Sequence, residues 1–146
     1  NDTFVFNTTL ALNGSDTVTD FSTGTDSISF LYGDAGIAQT DLRGNGSGYL
    51  EVAAGGESGT NSGVVGITTG QADLNQSTAK SLAAGLTGST AGDQFYLVFD
   101  NGTNTAIYRM ADTNSNPSVF ETAELMVTLN SVSDADATLE SSSFGL

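Results

Sequence analysis

The sequence predicts a mainly β fold, an antiparallel β-sandwich or roll carrying one short helix. Three observations point there. Only 14% of the residues are Asp, Glu, Lys or Arg, against about 25% in ordinary globular domains. Thr, Ser, Asn and Gly fill the gap, and they favour strands and turns over helix. Short apolar runs bounded by turn residues recur along the chain, whereas one segment alone has helical spacing. The 146 residues suffice for one domain with a real core, and residues 1–146 are read as a single β domain.

Taken in order, TFVF at 3–6 is a strand with Phe4 and Phe6 on one face. Residues 17–21 and 27–32 are two more. In the second, Ile28, Phe30 and Tyr32 alternate with Ser27, Ser29 and Leu31. YLEVAA (49–54) and VVGIT (64–68), joined by GGESGTNSG, predict a hairpin with a long loop. DLNQSTAKSLAAGL (73–86) predicts the helix. Leu74, Leu82 and Leu86 share a side with Ala79 and Ala83, Asp73 or Asn75 can cap the start, and Gly88 can help end it. QFYLVFD (94–100), TAIYRM (105–110) and ELMVTLNSV (124–132) are strong strands, with DNGTN as a hairpin signal between the first two. The tail TLESSSFGL can add a last short strand. The expected core is Phe4, Phe6, Val18, Phe21, Ile28, Phe30, Leu97, Phe99, Ile107, Leu125, Val127 and Leu129.

Charge and composition exclude several function classes. Seventeen acids face three bases, Arg43, Lys80 and Arg109, for a formal net charge of -14. Such a polyanion repels nucleic acid and anionic membrane and attracts hard cations, so no nucleic-acid partner is expected. There is no His and no Cys, which removes disulfides, thiolate and imidazole chemistry and the usual zinc sites. The longest clean apolar run is FYLVF (95–99), far short of the roughly 18 residues of a membrane helix; no membrane insertion is expected. NDTFVF predicts no amino-terminal signal peptide. Paired carboxylates can hydrolyse glycosides, but nothing singles one pair out. A serine nucleophile would need Lys80, which lies on the helix, and no Gly-rich loop carries a phosphate-binding Lys. The chain is therefore not expected to be an enzyme, and Arg109 reads as a surface ion-pair residue.

Two regions could hold a metal. Calcium takes 6–8 oxygens from carboxylates, amides, backbone carbonyls and water. Asp2, Asp16, Asp20 and Asp26 lie in turn regions that bracket short strands, with Asp20 and Asp26 the best-placed pair. If the strands pair, these acids approach one another, and carboxylates brought together disfavour each other's charged form unless a cation intervenes. The plainer alternative is turn and Asx-turn chemistry. The second region is Asp112-Thr-Asn114-Ser-Asn116, followed by Glu121 and Glu124. Oxygen side chains at positions 1, 3 and 5 match the start of an EF-hand loop, which places a bidentate Glu twelfth. Here Ala123 is twelfth, Glu124 is one later, and Pro117 stands where Gly is expected. A DTNSNP turn without metal fits the same residues.

NDTFVF, DTVTDF and GTDSISF together resemble the junction that closes the β-roll of the RTX family, bacterial exoproteins exported by type I secretion. Asp2, Phe4 and Phe6 match its D-x-F-x-F strand. Asp16, Val18, Asp20 and Phe21 match the D-x-I-x-D-F segment, and Gly24, Asp26 and Ile28 match G-x-D-x-I. The carboxyl end, from YLVFDNGTNTAIYRMADTNSNP through ELMVTLNSV to SSSFGL, is similar to the closing strands of type I secretion target domains. The chain contains no G-G-x-G-x-D repeat, so ligands contributed by such repeats are not among its residues.

The resemblance implies a β-roll-closing segment at 1–32, then a sandwich and carboxyl-terminal secretion-target region at 33–146. It implies calcium as the cofactor, the type I secretion machinery as the export partner, and a secreted, extracellular or cell-surface location. In such proteins, low cytosolic calcium leaves the acids repelling and the chain loose, and millimolar calcium outside drives folding. The expected function is a non-catalytic, calcium-responsive secretion-target and folding-cap domain. A structural subunit of a surface layer, adhesin or extracellular filament, with self-association or cell-surface contacts, is the alternative. A lectin-like module is a third.

Overall fold

The computed structural model describes residues 1–7, 14–31, 49–54, 63–86, 92, 94–114, 116, 119–134 and 144–145. Tyr32, all but the last residue of the GGESGTNSG connection, Gly88, Pro117 and most of the tail beyond Asp134 lie outside the described residues. The strands are β1 (Thr3–Asn7), β2 (Asp16–Val18), β3 (Ser27–Leu31), β4 (Tyr49–Val52), β5 (Val64–Ile67), β6 (Gln94–Asp100), β7 (Thr105–Ala111), β8 (Thr122–Leu129) and β9 (Phe144–Gly145). A helix, α1 (Gln76–Gly85), lies between β5 and β6. Among the described residues the fold is mainly β, sandwich-like, with one short helix.

A three-stranded sheet, ordered β1-β3-β9, packs on one face of a six-stranded sheet, ordered β2-β8-β7-β6-β5-β4. Helix α1 covers the other face of the larger sheet. This arrangement explains why β6 is apolar without interruption. Tyr96 and Val98 face the small sheet, while Phe95, Leu97 and Phe99 face the helix, and all five are fully buried. A strand covered on both sides has no polar alternation to show. Phe30 of β3 stacks on Tyr96 of β6, with ring centroids 3.7 Å apart, and joins the two sheets through the middle of the core.

The β6–β7 hairpin follows from its turn. Gly102 takes φ 77°, a left-handed conformation that Gly adopts without strain. Asp100 accepts the Gly102 N–H at 2.8 Å, and Asn101 accepts those of Thr103 and Asn104. β7 and β8 also pair antiparallel, with a bulge near Ile107 and Tyr108. The extra residue lets the adjacent Met126 and Val127 enter the same core cluster.

The expectation of antiparallel pairing holds for β6, β7 and β8. The remaining contacts are parallel: β1 with β3, β2 with β8, β3 with β9, β4 with β5 and β5 with β6. The predicted hairpin of 49–54 and 64–68 is thus a parallel pair, Tyr49 opposite Val64 and Val52 opposite Ile67. Tight turns fix strand direction through their own chemistry. A connection of about a dozen residues does not, and is long enough for a parallel crossover.

The helix begins where the caps predict. Asn75 is the N-cap, and its side chain accepts the Thr78 N–H at 2.9 Å. Asp73 supports the cap from outside, accepting the Asn75 N–H and the Thr78 hydroxyl. Ala79, Leu82 and Ala83 turn inward. Three side chains then tie the helix region to the sheet and its edge. Tyr108 donates to the Leu74 carbonyl, Gln76 to that of Ala123, and Lys80 to that of Glu121.

Candidate functional site

The first candidate region is built by β1, β2 and β3. The chain runs along the small sheet in β1, crosses to the edge of the large sheet in β2, and returns in β3 beside β1 and parallel to it. That is one coil of a two-sheet parallel roll. Thr3 pairs with Ser27 and Phe6 with Phe30, so apolar residues stack on apolar residues. Phe4 packs against Phe21 at 5.9 Å, closing the coil around Val18.

Asp26 is the hinge of this coil. It is buried, and both of its carboxylate oxygens accept backbone N–H groups: Asp2 at 3.0 Å and Ser22 at 2.9 Å. Its own N–H returns to the Ser22 carbonyl at 2.9 Å, and Gly24 supplies the left-handed residue at φ 80°. The amides of Asp2 and then Ser22 hold the Asp26 carboxyl below the usual carboxylate range. Asp26 thus locks the turn and fastens β1 to β3. Asp2 contributes backbone here: its N–H goes to Asp26, and its carbonyl accepts the Ser27 N–H. Asp2, Asp16 and Asp20 are exposed, and the last two line an open groove of about 350 Å³ with Phe4, Val5, Phe6 and Val18. Among the described residues, no three acids converge on one point.

A pH dependence follows from Asp26. A carboxyl whose pKa is lower in the folded state stabilises the fold above its unfolded pKa, and that contribution is lost as pH falls through the folded value. The domain should therefore lose stability on acidification below about pH 4. Asp26→Asn should be less stable at neutral pH and should show a flatter acid limb. Thermal melts from pH 7 to pH 2 check this, and parallel curves for the two proteins would refute it.

The second region follows β7. Asp112 is 3% exposed. One of its oxygens accepts the Asn114 N–H at 2.9 Å, an Asx turn, and Asn114 in turn accepts the Asn116 N–H. Glu121, at the foot of β8, closes the loop. Its Oε2 accepts the Thr113 N–H at 2.9 Å, and its Oε1 accepts from the Asn114 side-chain amide. The Thr113 N–H is the main reason that the Glu121 carboxyl sits below the usual carboxylate range.

Glu124 does not join this loop. It lies within β8 opposite Arg109 and binds its guanidinium at 2.8 Å, while Gln94 accepts a second Arg109 N–H at 2.7 Å. Arg109 thus forms the expected ion pair, but it is largely buried and not on the surface, and its partner is the acid expected in the loop. The difference comes from the start of the strand. β8 begins at Thr122, not at Glu124. Glu121 is therefore the last loop residue, and strand alternation puts Glu124 on the sheet face.

Among the described residues, no helix is long and apolar enough to cross a membrane. No protein-family model, curated protein or solved structure matches the chain.

Proposed function

We propose that this chain is a non-catalytic, calcium-responsive folding-cap and secretion-target domain from the carboxyl end of a protein exported to the cell exterior by type I machinery. The observation that carries the reading is the coil formed by β1, β2 and β3. Among the described residues, both of its leading strands are sheet edges, β1 in the small sheet and β2 in the large one. An edge strand offers a row of N–H and C=O groups to another strand. Here two such edges flank one groove, with Val5 exposed on the rim and Phe4 and Phe6 lining it. A preceding coil of the same parallel roll would continue both sheets at once and cover that groove.

Asp16 and Asp20 line the same groove. Acids of a stacked coil would face them there, and a cation between the coils relieves the repulsion. Calcium at 100 times its Kd then adds about 2.7 kcal/mol to the folded state. Without it, a formal net charge of -14 works against compaction.

Export is tested by fusing the chain to a passive reporter beside a cognate type I exporter and deleting residues 130–146. The fusion should reach the medium, and the truncated form should stay in the cell. Equal export of both forms would overturn the reading. The same edges could accept a second copy in a surface lattice or filament, so calcium-dependent growth in light scattering would favour that structural role.

A further inference from the structure

The Asp112 carboxylate is incompletely satisfied. Its Oδ1 accepts the Asn114 N–H, while its Oδ2 is buried and has no hydrogen-bond partner among the described residues. Asn114 links Asp112 to Glu121, giving its backbone N–H to the first and its side-chain amide to Oε1 of the second. Two acids held on one short loop disfavour each other's charged form unless a cation stands between them. The basic groups nearby are committed elsewhere. Lys80 spends its ammonium on the Glu121 backbone carbonyl at 2.7 Å, and Arg109 is held by Glu124 and Gln94. Among the described residues, no Lys or Arg nitrogen lies within 4.0 Å of either carboxylate.

We propose that Asp112 and Glu121 together hold a calcium ion at the head of the β7–β8 connection, with Asn114 and water completing its shell. The donors are all oxygen, which selects calcium or magnesium over zinc or copper. Irregular oxygen sets on a turn suit calcium, whereas magnesium demands near-octahedral geometry and keeps its waters. The ion also has mechanical reach. Glu121 is the residue whose carbonyl receives Lys80 of α1, and its neighbour Phe120 is buried edge-on against Phe95 at 5.2 Å. Fixing Glu121 therefore fixes the seam between helix and sheet.

This assignment deepens the calcium-responsive part of the function proposed above, and direct binding to the purified full chain separates the two. The probe is calcium chloride in a calorimetric titration, with thermal melts in chelator and in millimolar calcium. The wild type should bind calcium and melt higher with it. Changes to residues that merely orient ligands cost about 10–100-fold in metal affinity, so Glu121→Gln should weaken binding by at least that much. Asp112 is buried and Asp112→Asn risks misfolding; Glu121→Gln is the decisive variant, its fold checked by circular dichroism. The control Glu51→Gln, exposed on β4 at the opposite edge of the large sheet, should bind as the wild type does. The site is overturned if the wild type takes up no calcium. Unchanged binding in Glu121→Gln, an equal loss in Glu51→Gln, or binding lost only in Asp16→Asn with Asp20→Asn overturns it equally. Displacement by equimolar magnesium overturns the choice of calcium. A failed export assay touches none of these results.

Discussion

Phe99→Ala should lower the unfolding free energy by about 3–5 kcal/mol. Phe99 is fully buried on the helix-facing side of β6, and its ring stacks on Tyr108 at 5.7 Å. Ala106 of β7 lies opposite it, and the same core cluster holds Ala79 and Ala83 of α1. Small residues on rigid elements cannot move in to fill the hole, so both the transfer loss and the cavity are felt. Phe4→Ala is the contrasting case. Phe4 is only partly buried and sits on edge strand β1, so its loss should cost about 1–2 kcal/mol. Urea unfolding followed by circular dichroism measures both. A Phe99→Ala cost below about 1 kcal/mol would show that the two-sided burial of β6 is wrong.

Glu124→Ala should be the most damaging change to a charged residue in the large sheet, at about 2–3 kcal/mol, somewhat under the range for fully buried pairs. The Arg109 side chain is 13% exposed and that of Glu124 27%. Removing the acid leaves a nearly buried guanidinium with Gln94 as its remaining side-chain acceptor and with its Nε already unpartnered. Removing one partner strands a charge, whereas removing both does not. Arg109→Met combined with Glu124→Leu should recover most of the loss, because apolar groups of similar shape remove the stranded charge. Thermal melts of the single and double variants decide the matter; a double variant worse than Glu124→Ala alone would refute it.

The legible parts of the fold were those governed by neighbours in sequence. The DNGTN turn specified the β6–β7 hairpin because its hydrogen bonds are local, and Asn75 marked the helix start for the same reason. Alternation in SISFL identified Ile28 and Phe30 as core. Of the expected core, only Phe4 and Leu125 are partly buried rather than buried: one lies on an edge strand and the other beside the bulge. Strand direction and partner were not legible, since parallel pairing is chosen by distant surfaces and not by a turn. The loop acid was misassigned for a local reason. Placing the start of β8 two residues late made Glu124 the loop ligand and left Glu121 in the background.

The distant pairings have a kinetic consequence. Asp16 lies against Val127, and Ile28 against Phe144, so strands from opposite ends of the chain close both sheets. Closing long loops costs entropy before the contacts reward it, and topologies of high contact order fold slowly. The β6–β7–β8 meander is the local exception and can assemble by itself. A chain emerging from a narrow conduit one end first can build that meander early, yet neither sheet can be completed until both ends are free. During that interval the face bearing Tyr96, Val98 and Ile107 stays uncovered, and the time spent in that half-built state is set by when the last strand arrives.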